Sequence, residues 1–201
     1  MDQKKALWIV LVLNASIAAA FFATGLVADS SALIANGLDN ASDTLVYALS
    51  LVALGRSAAW KRGAARTSGF MLIGFAVGVA IDAVRRFVDG SEPLGTTMIV
   101  MAVVAGIVNL VCLWLIRRIE DPDVNIRAAG TFSANDFVTN GGIVLGGALV
   151  LLLGTNWPDL VVGIAVAGIA VKGGVEILRD AHAETHDDAP ETPSIDPEAP
   201  T

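Results

Sequence analysis

The chain has 201 residues, of which 54% are hydrophobic, with a mean hydropathy of +0.65 and a formal net charge of −7. A soluble domain of this length is far less apolar, and here the apolar residues fall in long runs, which identifies an integral membrane protein. The charge is confined: seven of the twenty acidic side chains lie in Asp180–Thr201, leaving thirteen acidic against thirteen basic elsewhere, so nothing points to nucleic acid or to an acidic substrate.

Six apolar segments follow in chain order: Ala6–Ala28, Leu33–Leu54, Ser68–Val88, Thr96–Ile116, Ala128–Leu153 and Leu160–Leu178. Each approaches or exceeds the roughly 20 residues a helix needs to cross a bilayer. Helices are expected because the hydrocarbon core offers no water to unpaired backbone groups. The first run, after Lys4 and Lys5, is too long for a signal-peptide apolar region of about 7–15 residues and reads as a retained span. Basic residues cluster before the first span, between the second and third (Arg56, Lys61, Arg62, Arg66), between the fourth and fifth (Arg117, Arg118, Arg127) and after the sixth (Arg179). The opposite side has Arg85 and Arg86, so both termini are expected in the cytoplasm. Trp8, Trp114 and Trp157 mark span ends, where an amphipathic ring suits the interface. Residues 1–179 read as a six-span transmembrane domain. Residues 180–201, rich in Pro and acid, read as a disordered cytoplasmic tail.

The second span contains side chains that lipid does not tolerate. Its sequence LDNASD places Asp39 and Asp43 four residues apart, about 5–6 Å between Cβ atoms on one helix face. An ionised Asp at a helix centre costs about 2.5–3.5 kcal/mol on insertion scales. Asn36 and Asn40 share that side. The fifth span carries a second cluster, with Asp136 and Asn140 at the same spacing and Asn135 and Thr139 beside them. If the two helices face each other antiparallel, Asn140 comes level with Asp39 and Asp136 with Asp43. Lys172 has Glu176 at i+4, and Asp82 has Arg85 and Arg86 at i+3 and i+4, so these charges read as local ion pairs. Asp39, Asp43 and Asp136 are left needing a mobile cation. A divalent metal fits, because oxygens on facing helices can close a four-coordinate site at about 2.0–2.2 Å. Metal ligands must shed their protons, so such a site couples metal to proton movement. The plainer alternative is three protonated carboxyls hydrogen-bonded in a polar core.

These residues resemble the cation diffusion facilitator family, six-span metal/proton antiporters. The resemblance is carried by Asp39-x-x-x-Asp43, by Asp136, and by the stretches 39–63, 125–142 and 157–171, and it extends over about residues 6–182. It implies a dimer in the cytoplasmic (inner) membrane that works by alternating access. The first, second, fourth and fifth spans would surround the metal, with Asn14 and Asn109 lining that cavity or hydrogen-bonding between helices. Two departures stand out. The family's fifth span has a His four residues before the Asp, where this chain has Phe132. The fourth ligand then falls to Asn140, Asn135, Asn36 or water, with Asn140 preferred. An all-oxygen site admits Mn²⁺, Fe²⁺ or Co²⁺, although the resemblance puts Zn²⁺ first with Cd²⁺. Members also carry a cytoplasmic domain after the sixth span, where this sequence turns acidic. Dimer contacts are therefore expected within the membrane, along Gly142-x-x-x-Gly146 or Gly163, Ala167 and Gly174, unless these glycines pack helices inside one protomer.

His182 and His186, also at i,i+4, offer a weak metal-docking site or a solvated charged face. Cys112 is the only cysteine, which rules out an intrachain disulfide and a cysteine zinc cluster. No span contains a His and no nucleophile–base pairing is present, so the protein reads as a secondary transporter and not an enzyme, with metal as cargo and no cofactor. A membrane metal sensor or accessory subunit using the same carboxylates is the rival reading. An organic-cation exporter is disfavoured by the sparse aromatic residues.

Overall fold

The computed structural model describes residues 3–52, 57–119 and 124–187. They form six helices: α1 (Gln3–Val27), α2 (Ser31–Val52), α3 (Ala58–Asp89), α4 (Gly95–Arg117), α5 (Val124–Leu153) and α6 (Trp157–Asp187). Five of them contain stretches long and apolar enough to cross a membrane: Lys5–Val27, Arg62–Asp89, Gly95–Arg117, Ser133–Leu153 and Trp157–Arg179. α2 has the length but not the apolarity, because Asn36, Asp39, Asn40 and Asp43 occupy its middle. Protein takes the place of lipid around it: α2 packs on α1, α3, α5 and α6.

The helices outrun the apolar segments where polar residues continue them. α3 begins inside the basic stretch after α2, with Ser57 as its N-cap accepting the Trp60 amide at 3.3 Å. α6 runs through Asp187, into the acidic stretch read as tail. Once a helix is anchored by its buried part, its exposed end needs no apolar residues.

α1 pairs most closely with α2, α4 with α5, and α3 with α6. Glycines set the closest approaches. Gly95 and Gly147 bring α4 and α5 together, since a Cβ on either would fall within 3.0 Å of the other's backbone. Gly163 does the same for α6 on α2, where a Cβ would lie 2.9 Å from the Ser31 carbonyl carbon. Gly146 meets Val162, and Gly174 meets Ile73 and Gly69. Gly146, Gly163 and Gly174 are thus used inside one protomer, whereas Gly142 faces open space. Large apolar side chains such as Phe70, Ile81, Phe87 and Leu152 point outward, as a lipid-facing surface requires. Trp8, Trp114 and Trp157 are about half exposed, and the Arg118 guanidinium stacks 3.8 Å above the Trp114 ring.

At one end of the bundle the three interhelical turns are tied together. The Asp159 carboxylate at the start of α6 accepts the Ser30 hydroxyl at 2.5 Å and the amides of Ser31 and Ala32 at 2.7 and 3.1 Å. It therefore caps α2 from another helix, where the free N–H groups and the helix dipole favour an anion. Arg86 donates to Asp82 at 2.6 Å and also to Asp29. Arg85 pairs with Asp89 and not with Asp82. Asp29, the one non-glycine residue with positive φ (52°) among those described, also accepts the Glu92 amide at 3.0 Å. Asn156 closes the ring by donating to the Ser91 hydroxyl at 3.0 Å.

Candidate functional site

Toward the opposite end a cavity of about 550 Å³ opens between α2 and α5 on one side and α6 with Leu72 of α3 on the other. α2 contributes Asp39, Ser42 and Asp43, α5 contributes Asn135, Asp136 and Thr139, and α6 contributes Lys172 and Glu176. The i,i+4 spacing read from the sequence puts Asp39 and Asp43 on this one face. Asp43 is 8% exposed and Asp136 3%, while Asp39 is only partly buried. Asp39 is the most exposed of the three.

Lys172 and Glu176 pair at 3.6 Å and are both exposed, as expected of a local ion pair. They also flank the cavity, which the sequence did not reveal. Among the described residues no Lys or Arg pairs with Asp39, Asp43 or Asp136. One oxygen each of Asp43 and Asp136 has no hydrogen-bond partner there either. Acid gathered in a cavity with low-dielectric walls focuses a field that draws in cations. The carboxylates do not form a closed shell: among the described residues no three His, Cys, Asp or Glu side chains stand close enough to hold a metal together.

The facing of α2 and α5 is as predicted, but the register differs by about a turn. The Asn36 amide donates to the Asn140 side-chain oxygen at 3.0 Å, so Asn140 sits opposite Asn36 and not opposite Asp39. Continuing antiparallel from that bond, Asp136 comes level with Asn40, and Asp43 with Ser133. Asn140 is 2% exposed and donates back to the Asp136 carbonyl at 2.8 Å. Asn40 donates to the Asn36 carbonyl at 2.9 Å. Asn135 and Thr139 reach the cavity, and Asn36 and Asn140 lie behind it. Asn14 donates to Val10 within its own helix at 2.9 Å. Cys112 is fully buried among apolar side chains.

The side chains of Phe132 and His186 lie outside the described residues. His182 is exposed, and α6 remains helical past position 186, so the two His positions share a face. Ser42 and Ser133 were not singled out from the sequence. Ser133 stands three residues before Asp136, a spacing that could have marked it.

A multi-pass helical protein with buried, unpaired carboxylates on two facing helices is built to handle cations within a membrane. The chain belongs to the cation efflux, or cation diffusion facilitator, family: that family's transmembrane domain matches residues 7–184. It is similar to the zinc transporter ZitB of Pectobacterium atrosepticum, with 25% identity over 210 residues covering 96% of this chain and 65% of that protein. It is also similar to a cadmium, cobalt and zinc/H⁺-K⁺ antiporter of Bacillus subtilis, 24% identical over 78% of this chain and 55% of that protein. The metal cation efflux system protein CzcD of Cupriavidus metallidurans is 24% identical over 82% of this chain and 56% of its own length. The chain thus spans less than two thirds of the length of each of these relatives.

Proposed function

We propose that this protein exports divalent metal cations across the cytoplasmic membrane in exchange for protons, by alternating access, with Zn²⁺ the first substrate and Cd²⁺ the second. The observation that carries this is the set of three carboxylates, Asp39, Asp43 and Asp136, on one cavity, none of them in an ion pair with a Lys or Arg among the described residues. The names of the relatives, zinc and cadmium transporters and efflux proteins, support the choice of metal. α2 counts as the sixth span because its polar middle is enclosed by other helices. The positive-inside pattern then puts both termini in the cytoplasm and turns the cavity toward it. Residues 1–179 act as the transporter unit and 180–201 as an acidic appendage, in which His182 and His186 offer a weak docking site. The working unit is a homodimer.

A cation entering the cavity meets Asp39, Asp43 and Asp136, and each must release any proton it holds before it can ligate. Return of those protons expels the metal on the other side. Asn140, whose oxygen already accepts from Asn36, holds α2 and α5 in register around the site. Asn135, at the cavity surface, belongs to the entry route.

A second reading has its own observation. The cavity wall offers oxygens and no imidazole or thiolate among the described residues, which suits Mn²⁺, Fe²⁺ or Co²⁺ as well as Zn²⁺. The test is flux into proteoliposomes with an imposed pH gradient, using Zn²⁺, Cd²⁺ and Mn²⁺ in parallel and Asp43→Ala as control. Gradient-driven Zn²⁺ entry that the substitution abolishes is the expected result. Metal binding through Asp43 with no flux would identify a sensor or accessory subunit instead.

A further inference from the structure

The four helices α1, α2, α4 and α5 enclose two apolar clusters with a polar layer between them. One cluster contains Ile17, Leu33, Ala102, Ala105 and Ile143. The other contains Val10, Tyr47, Cys112 and Ile116. Between these positions lie Asn14 on α1, Asn40 and Asp43 on α2 and Asn109 on α4, and α5 brings Ser133 and Asp136 to the height of the α2 residues, all buried. Asn14, Asn40, Asp43, Asn109 and Asp136 each have a side-chain oxygen without a hydrogen-bond partner among the described residues.

Asn109 stands out in this layer. It is fully buried, and both its amide nitrogen and its amide oxygen lack a partner among the described residues. Asn14 and Asn40, by contrast, each donate one bond from their NH₂ group within their own helix. Buried amides are almost always paired, so an amide unpaired at both ends calls for a reason. Its position follows from the packing of α4 on α5. Gly147 lies against Gly95 and Met98, and a Cβ on Gly106 would sit 3.8 Å from the Phe137 ring and 3.9 Å from the Asn140 Cβ. Continuing this antiparallel register one turn along α4 brings Asn109 level with Ser133 and Asp136. The register of α2 on α5 brings Asn40 and Asp43 to the same height.

We propose that Asn109 is a ligand of the transported divalent cation, its amide oxygen joining Asp43 and Asp136 at a deeper position than the open cavity. This rests on the export reading above and extends the site to a third helix. A neutral oxygen suits the place: Asp43 and Asp136 already balance the charge of a divalent ion, and an amide carbonyl adds a bond without adding charge. It fills the coordination position left by Phe132 in α5 and by Asn140, which is engaged with Asn36. The cation then passes from the cavity, where Asp39 is the more exposed carboxylate, to a shell drawn from α2, α4 and α5.

The test compares Zn²⁺ and Cd²⁺ binding by calorimetry on the full chain, for wild type, Asn109→Ala, Asn109→Cys and Asn109→Asp, with Asp43→Ala as reference. Asn109→Ala is expected to weaken Zn²⁺ about tenfold. Asn109→Cys puts a soft thiolate at the site and is expected to raise the Cd²⁺-to-Zn²⁺ affinity ratio about tenfold or more over Asn109→Ala. Cys112 is present in both proteins and cancels. Asn109→Asp keeps the shape and an oxygen, and is expected to hold Zn²⁺ at least as tightly as wild type. Should the other two variants fail to fold, a tenfold weakening in Asn109→Asp overturns the assignment by itself. An identical Cd²⁺-to-Zn²⁺ ratio in Asn109→Ala and Asn109→Cys, with Zn²⁺ affinity as in wild type, overturns it as well. If Asp43→Ala abolishes binding while every Asn109 variant behaves as wild type, only the role of α4 falls. If Asp43→Ala leaves binding unchanged, the export site itself is misassigned.

Discussion

Asn36 on α2 and Asn140 on α5 form a buried amide-to-amide hydrogen bond of 3.0 Å. It fixes the height at which the two acid-bearing helices face each other. Asn140→Ala leaves the Asn36 donor without that partner, and the pair is expected to show a coupling of roughly 0.6–2 kcal/mol in a double-mutant cycle with Asn36→Ala. Reversible unfolding in mixed micelles gives the four stabilities required. Zero coupling would mean that the bond does not set the register.

That register was only partly legible in the sequence. Asp39, Asp43, Asp136 and Asn140 announced two polar faces, because a carboxylate in an apolar run demands an explanation. Their facing entered only as a condition, which the packing of α2 on α5 meets. Their height was not legible, since it depends on how far α2 slides along α5, which the Asn36–Asn140 bond shows and hydropathy does not. The apolar runs located all six helices, but their polar extensions at the start of α3 and the end of α6 carry no hydropathy signal. The Asp159 cap on α2 escaped notice for another reason. An acid in a first helical turn normally serves its own helix, whereas this one serves a helix more than a hundred residues earlier.

Asp159→Ala tests that cap. The substitution strips a partner from the Ser30 hydroxyl and from the first two amides of α2. The expected loss is about 1–3 kcal/mol of unfolding free energy. Ser30→Ala removes one of the three contacts to Asp159, together with the bond from the Leu33 amide to the Ser30 hydroxyl. It should cost less, about 1 kcal/mol. Thermal unfolding in detergent, ranked wild type above Ser30→Ala above Asp159→Ala, is the expected order. The reverse order would show that the carboxylate is tolerated there and not needed.

Glycines separate contact within the protomer from contact outside it. Gly163→Ala and Gly147→Ala each drive a Cβ to 3.0 Å or less from another helix, so each should destabilise by about 1–3 kcal/mol. Gly74, Gly78 and Gly142 face open space in the protomer. Their substitution by Ala should be neutral or should stabilise the helix by up to about 1 kcal/mol. A large loss at any of these three, with dimer content falling in light-scattering measurements, would place that glycine in the subunit interface.

The three carboxylates should differ in kind. Asp43 and Asp136 are buried, and Asp39 lies partly open on the same cavity. Asp43→Asn and Asp136→Asn are expected to abolish metal flux, whereas Asp39→Asn should raise KM with a smaller effect on maximal rate, as befits a residue that gathers cations more than it holds them. Equal loss in all three would put Asp39 in the binding shell.

Proton release provides the remaining check, and its sign is fixed. Each ligand that carries a proton before metal arrives must give it up, so Zn²⁺ affinity should fall as pH falls, by about tenfold per pH unit for every proton displaced. Calorimetry in buffers of different ionisation enthalpy counts those protons directly. Asp43→Asn removes one titratable ligand, so the residual binding should release fewer protons and its pH dependence should flatten. Binding heats independent of the buffer, with Zn²⁺ affinity unchanged over the same pH range, would show that the carboxylates bind metal without exchanging it for protons. The antiport step would then have to reside in groups other than Asp39, Asp43 and Asp136.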